Sequence, residues 1–167
     1  MTKPNIPKIH DKLDIADEML EVAIHAFLDT GHYFVAINLA NVAEELYGKF
    51  IKLTGGESSQ QSLVKAAQGL ASSIWSDGPP CDKDLINASV RVKNDIKHLD
   101  TLDQRYLEVD VEDEARAAIG CALTNHTTLG REPSPTTQRF YDYAQRWSVA
   151  QVSERQVNLP KSGPDQT

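Results

Sequence analysis

The chain is 167 residues long, which suits one domain with a substantial core. Its 40% hydrophobic and 25% charged residues are those of a globular protein, not of a disordered or fibrous one. A formal net charge of −7 argues against a broad nucleic-acid footprint or an anionic membrane surface, while leaving room for a local basic site.

Residues 1–8, with Pro4 and Pro7, read as an irregular lead-in without an apolar signal core. Residues 9–148 read as a single helical domain. From Ile9 to Asp29 the pattern is helical, because Leu13, Ala16, Leu20, Ala23 and Phe27 recur at four- and three-residue steps. Asp11, Asp14, Asp17 and Glu18 suit the positive end of that helix, and Gly31 is available for a left-handed cap. His32 to Leu53 is the most apolar segment. Phe34, Val35, Ile37, Leu39, Ala40, Val42, Ala43, Leu46, Phe50 and Ile51 cover most of its circumference, which predicts a central helix. Asn38, Asn41 and Glu45 interrupt it on one shared face.

Thr54-Gly55-Gly56 ends that helix. It follows no strand and lacks GxxxxGK[ST], so it is not a phosphate cradle. Ser58 to Trp75 reads as a third helix, with Leu63, Ala66, Ala67, Leu70, Ala71 and Ile74 on its inner side. Asp77-Gly78-Pro79-Pro80 breaks it. Asp82 to Asp100 reads as the organising helix, with Leu85, Val92, Ile96 and Leu99 as its apolar stripe. It is expected to pack against Ala36 to Leu53 at the centre of the fold, with Ile37 and Ile96 in the core. Thr101 to Asp110 is a polar connection. Val111 to Leu129 is helical, with Glu112, Asp113 and Glu114 in its first turn and Ala115, Ala118, Ala122 and Leu129 on one face. After a break at Gly130 to Pro135, Thr136 to Trp147 forms a short helix. Residues 149–167 lose periodicity and read as a frayed tail. Trp75 and Trp147 read as core or rim anchors. No strand-like alternation appears, so the expected class is all-α.

Chemistry concentrates on one stripe of the organising helix. Arg91, Asn94, Asp95 and His98 share a face, since seven residues return to within about 20° on an ideal helix. His98 beside Arg91 and Asp95 suits acid–base or phosphate-handling work. The plainer reading is a solvent-facing helix end, where His98 and Lys97 complement the dipole. Asn38, Asn41 and Glu45 suit either the same cleft or a buried network that sets helix register. Asp95-x-x-His98 has one half of a di-iron spacing, with Glu44, Glu45, Glu112 and Glu114 as possible helpers. Such sites need two Glu-x-x-His repeats, so no metal or other cofactor is expected. His25, His32 and His126 stand isolated. Cys81 and Cys121 form no CxxC or His/Cys pattern, which fits a reducing, cytoplasmic setting without structural zinc. No run of about 18 apolar residues occurs, so no membrane span is expected.

Lys93-Asn94-Asp95-Ile96-Lys97-His98 resembles the Arg-Asn-x-x-Lys-His signature of small bacterial proteins of the HEPN superfamily. Ala36 to Leu46 is similar to the helix before that motif. Val111 to Ala115 and Pro135 to Phe140 extend the likeness to about Trp147. The resemblance implies an up-and-down bundle of four core helices plus short accessory ones. It also implies a homodimer with Arg91, Lys93, Asn94 and His98 near the two-fold axis. Active members are metal-independent endoribonucleases; degenerate ones bind RNA, nucleotides or protein, and a protein antitoxin is a further partner the resemblance leaves open for this chain. The family's Arg before Asn is Lys93 here, whereas Arg91 sits six residues before His98 and satisfies the wider Arg–His spacing. Lys lacks the planar fork of Arg, so a cleaving and a degenerate form are both open. In the cleaving form, His98 is the acid or base, Arg91 or Lys93 holds the phosphorane charge, and Asn94 orients the phosphate or the imidazole. Asp95, Asn38, Asn41 and Glu45 support them. The partner is then a short RNA or a nucleotide; neither DNA nor a membrane is expected. The non-enzymatic alternative is a self-associating helical interaction module, with a carboxylate/His metal bundle as third reading.

Overall fold

A computed structural model of the chain describes residues 7–74, 87 and 91–157. Trp75, the 77–80 break, Cys81, Leu85 and the tail beyond residue 157 lie outside them. Every regular element among the described residues is helical, so the class is all-α as expected. The chain divides into two compact units, Met1–Glu132 and Pro133–Thr167.

In the first unit, α1 runs Lys12–His25. Asp11 caps it by accepting a 2.8 Å hydrogen bond from the Leu13 amide. Its inner face, Ala16, Leu20, Ala23 and Ile24, is buried. A π turn, Ala26–Thr30, continues it and ends at Gly31, whose φ of 66° is the left-handed cap the sequence predicts.

The second helix, α2, runs Tyr33–Leu53. It buries Ala36, Ile37, Ala40, Ala43, Tyr47 and Ile51, but Phe34, Val35 and Phe50 remain 49, 47 and 42% exposed. The nearly all-round apolar surface thus buries one face only. Among the described residues α2 packs against α5 (Val111–Thr128) and α1, and its Glu45 meets Lys93 of the motif segment. The approach to α5 is close at Gly48, where a Cβ would stand 3.2 Å from the Asn125 amide nitrogen. Asp110 caps α5, its Oδ1 accepting from the Asp113 amide at 3.1 Å. Ala115, Ile119, Ala122 and Leu123 are buried; Ala118 and Leu129, expected on the inner face, are only half-buried.

The third helix, α3, runs Ser59–Ile74. Its expected inner residues Leu63 and Leu70 are 52 and 63% exposed, whereas Val64 is buried. The reason is where the helix is held. Its start is pinned, the Ser59 amide donating to Asn125 Oδ1 at 2.7 Å, and Ser58 and Ser59 are both buried. That anchor rotates α3 about one position from the face that periodicity favours.

The motif helix, α4, is helical at 91–95 and gives way to a turn at 96–97 and an irregular 98–100, five residues short of the expected end at Asp100. A competing start signal explains the shortening. Gln104 Oε1 accepts from the amides of Asp100 (2.7 Å) and Thr101 (3.2 Å), closing a capping box around the 3-10 turn Leu102–Arg105. Those amides cannot also serve α4. Val92 is buried as expected, Ile96 is half-buried, and Leu99 is 69% exposed rather than on a core stripe.

The second unit is built on α6, Pro135–Val157, which ends ten residues beyond the expected Trp147. Ser134 accepts from the Thr137 amide at its start. The extension lacks apolar periodicity but holds Ala150, Gln151, Glu154, Arg155 and Gln156, all good helix formers.

Candidate functional site

Arg91, Asn94, Asp95 and His98 line one open groove of about 670 Å³. The early end of α4 does not scatter them. The His98 amide still donates to the Asn94 carbonyl at 3.1 Å, so one helical turn continues from Asn94 to His98. The opposite wall is the connection after α4, with Asp100, Asp103, Gln104, Tyr106, Leu107 and Glu108. The same capping box that ends α4 shapes that wall. Arg105 lies over the Tyr106 ring at 5.5 Å.

The groove's charge is not that of a phosphate site. Carboxylates of Asp95, Asp100, Asp103 and Glu108 share it with Arg91 and the His98 imidazole. Arg91 Nη1 also meets Asp95 Oδ2 at 3.4 Å, so its guanidinium already has an anion on the same helix. A phosphodiester entering here would face repulsion before it reached Arg91.

Lys93 leaves this group. Its Nζ donates to Glu45 Oε2 at 3.0 Å, while Lys49 Nζ donates to Glu45 Oε1 at 2.7 Å. Hydrogen bonds from Lys49 and then Lys93 hold the Glu45 carboxyl down to about 2. Asn38 and Asn41 turn back on their own helix, donating to the carbonyls of Phe34 and Ile37 at 2.9 Å each. Of the supporting residues on α2, Glu45 alone bonds a motif side chain. The motif therefore splits: Arg91, Asn94, Asp95 and His98 face the groove, and Lys93 with Asn41 lines a separate cavity on α2.

A second set of ionisable groups comes together where sequence reading assigned no role. Tyr47 donates to Asp17 Oδ1 at 2.5 Å. Arg131 binds Asp17 Oδ2 and also Asp14 Oδ1, the latter at 3.1 Å. His126, buried on α5, has Nε2 at 3.8 Å from Asp17 Oδ1 and its ring edge-on to Tyr47, centroids 5.8 Å apart. Burial, then the Asp17 hydrogen bond, raises the Tyr47 phenol; burial lowers the His126 imidazole against the pull of Asp17. Beside this cluster, Asn125 is fully buried. Its Nδ2 donates to the Glu44 carbonyl (3.2 Å) and to Glu44 Oε1 (3.3 Å), and its Oδ1 accepts from Ser59. His25, also without an assigned role, meets Asp29 at 2.5 Å on the surface. No local pattern announces the cluster, since Asp17 reaches its partners over 30 and 114 residues.

Among the described residues no group of three or more His, Cys, Asp or Glu side chains is placed to hold a metal ion. No helix among them is long and apolar enough to cross a membrane. Comparisons with protein families, curated proteins and solved structures found no match to this chain.

Proposed function

We propose that this chain is a HEPN-like helical protein that associates with a second copy through its motif segment and does not cleave RNA. The observation that carries this reading is the company of Arg91 and His98: four carboxylates share their groove, and Asp95 engages the guanidinium. Tyr106 in the groove wall and, next to groove residues in the chain, Leu99 and Leu102 are 80, 69 and 92% exposed and offer apolar area for such a contact. In this role Arg91, Asp95 and His98 supply interface hydrogen bonds, and the surrounding acids oppose polyanions.

One specific observation favours a second reading, a metal-independent endoribonuclease: Arg91, Asn94 and His98 face the same open groove. His98 would then exchange the proton of the attacking ribose 2′-hydroxyl, Arg91 would stabilise the phosphorane, and Asn94 would orient the phosphate. One such acid–base group contributes roughly 100- to 10,000-fold. Lys93 would stand aside, because Glu45 holds it.

Sedimentation at micromolar concentration, paired with an assay on a short structured RNA in EDTA, separates the two. The module reading expects a dimer that Arg91→Ala or His98→Ala weakens, with no cleavage by the parent chain. Cleavage in EDTA that His98→Ala abolishes, with dimer and melting temperature unchanged, would establish the nuclease instead. A monomer with no cleavage would sink both.

A further inference from the structure

We propose that the cavity beside α2 binds a short primary alkylammonium ion. The cavity holds about 260 Å³ and lies between α2, α3, α4 and α5. Its walls are apolar at Ile37, Leu63 and Val92, and Ala117 and Ala118 leave the space that larger side chains on α5 would fill. Such walls accept an alkyl chain.

The polar groups define the head. Glu44 is half-buried at the cavity, and its Oε1 is occupied by Asn125 (3.3 Å) and Ser59 (3.5 Å). Its Oε2 carries no hydrogen bond among the described residues. Asn41 donates one amide N–H to the Ile37 carbonyl, and its side-chain oxygen is an acceptor. Glu114 adds a second carboxylate. Lys93, the one cationic lining residue among those described, directs its ammonium to Glu45. Among the described lining residues, negative charge therefore exceeds positive charge. Burial raises the Glu44 carboxyl against the opposing pull of Lys93, of its Asn125 and Ser59 hydrogen bonds and of Lys52.

A primary ammonium matches this arrangement because it brings three donors, no acceptor and a positive charge. A carboxylate or phosphate head would meet Glu44 and Glu114 with a single pre-engaged lysine. A neutral alcohol would fill the space without answering the charge. Nothing in this inference depends on the motif groove, so it stands or falls separately from the association reading.

The test is titration of the full chain with n-butylammonium, followed by amide chemical shifts and calorimetry, with n-butanol and butyrate as shape-matched controls. Saturable one-to-one binding of the ammonium is expected, with shifts centred on Ala117 to Cys121. Butanol should bind about tenfold more weakly or worse, and butyrate not at all. Glu44→Gln keeps an acceptor for Asn125 and Ser59 and should weaken the ammonium by about tenfold or more. Should that variant fail to fold, Ala118→Leu fills the cavity from a half-buried position and should abolish binding with a native circular dichroism spectrum. The proposal is overturned by absence of saturable ammonium binding, by butanol binding equally well, by shifts mapping elsewhere, or by a folded variant of either kind that binds unchanged.

Discussion

Asp17, Tyr47 and the His126–Arg131 pair come from three distant stretches of chain and close on one another; Asp95, His98 and Arg91 come from one short segment and open onto a groove. Both sets hold an Asp, a His and an Arg, and the outcomes differ because of burial. In the first set Asp17 takes the Tyr47 hydroxyl and Arg131 while His126 is shielded, so these groups answer one another and fix α1, α2 and α5 in register. In the second, Arg91 and Asp95 are 60 and 43% exposed and the His98 ring has no hydrogen-bond partner among the described residues. A mutually satisfied set around the buried Tyr47 and His126 contributes stability. An exposed, partly satisfied one keeps capacity for a partner.

The largest stability effects should therefore fall on the α1–α2–α5 side. Ile37, 2% exposed, should cost about 2–5 kcal/mol when truncated to alanine. Ile96→Ala should cost about 1 kcal/mol, because that side chain is only half-buried. Equal shifts in denaturant midpoint would give the two side chains the same weight in the core.

Next comes Asn125→Ala. It strips partners from the Ser59 amide and from Glu44 in a buried setting, and urea unfolding should register a loss of about 1–3 kcal/mol. Asn94→Ala, on the exposed side, should leave the midpoint nearly in place. A matching loss there would erase the distinction between the two regions.

The pH dependence sharpens the contrast further. Folding lowers the His126 pKa, chiefly by burial, so between that value and about 6.5 the unfolded chain binds more protons. Stability should be fully present above about pH 6.5 and decline as pH falls through that window. His126→Gln should flatten the decline seen in melting temperature; an unchanged profile would assign it to other groups. Glu45, held at about 2, supplies a separate loss as pH falls from 4.5 toward 2.

The smallest effect is expected at the Arg91–Asp95 pair. Breaking an exposed i, i+4 pair should change stability by only about 0.2–0.5 kcal/mol. The change should appear in self-association instead, measured by sedimentation of Arg91→Ala. A drop in stability without any effect on assembly would reduce the pair to an ordinary helix contact.

Much of this was legible along the chain, because the signals act over one or two turns. The Asp11 and Asp110 caps, the Gly31 stop, the apolar steps of α1 and the acidic start of α5 each combine residues a few positions apart. The shared face of Arg91, Asn94, Asp95 and His98 follows from the same local geometry, and it survives in the groove. Where local signals competed, periodicity misled: the Thr101–Gln104 capping box withdrew two amides from α4 and left Leu99 in solvent. Good helix formers carried α6 past the loss of its apolar pattern.

The choice among apolar faces belonged to packing. Phe34, Val35, Leu63 and Leu70 are as hydrophobic as the residues that are buried, but only contact with α5 and the Ser59–Asn125 anchor decides which side turns inward. Packing also sent Lys93 to Glu45 while Arg91 stayed with Asp95, and it joined Asp17 to Tyr47 and Arg131 across 30 and 114 residues. Helix identity and helix ends depend on neighbours within reach of one hydrogen bond, so a linear reading finds them. Partnership between distant charges depends on how whole helices are rotated against each other, a degree of freedom that no short-range pattern in this chain encodes.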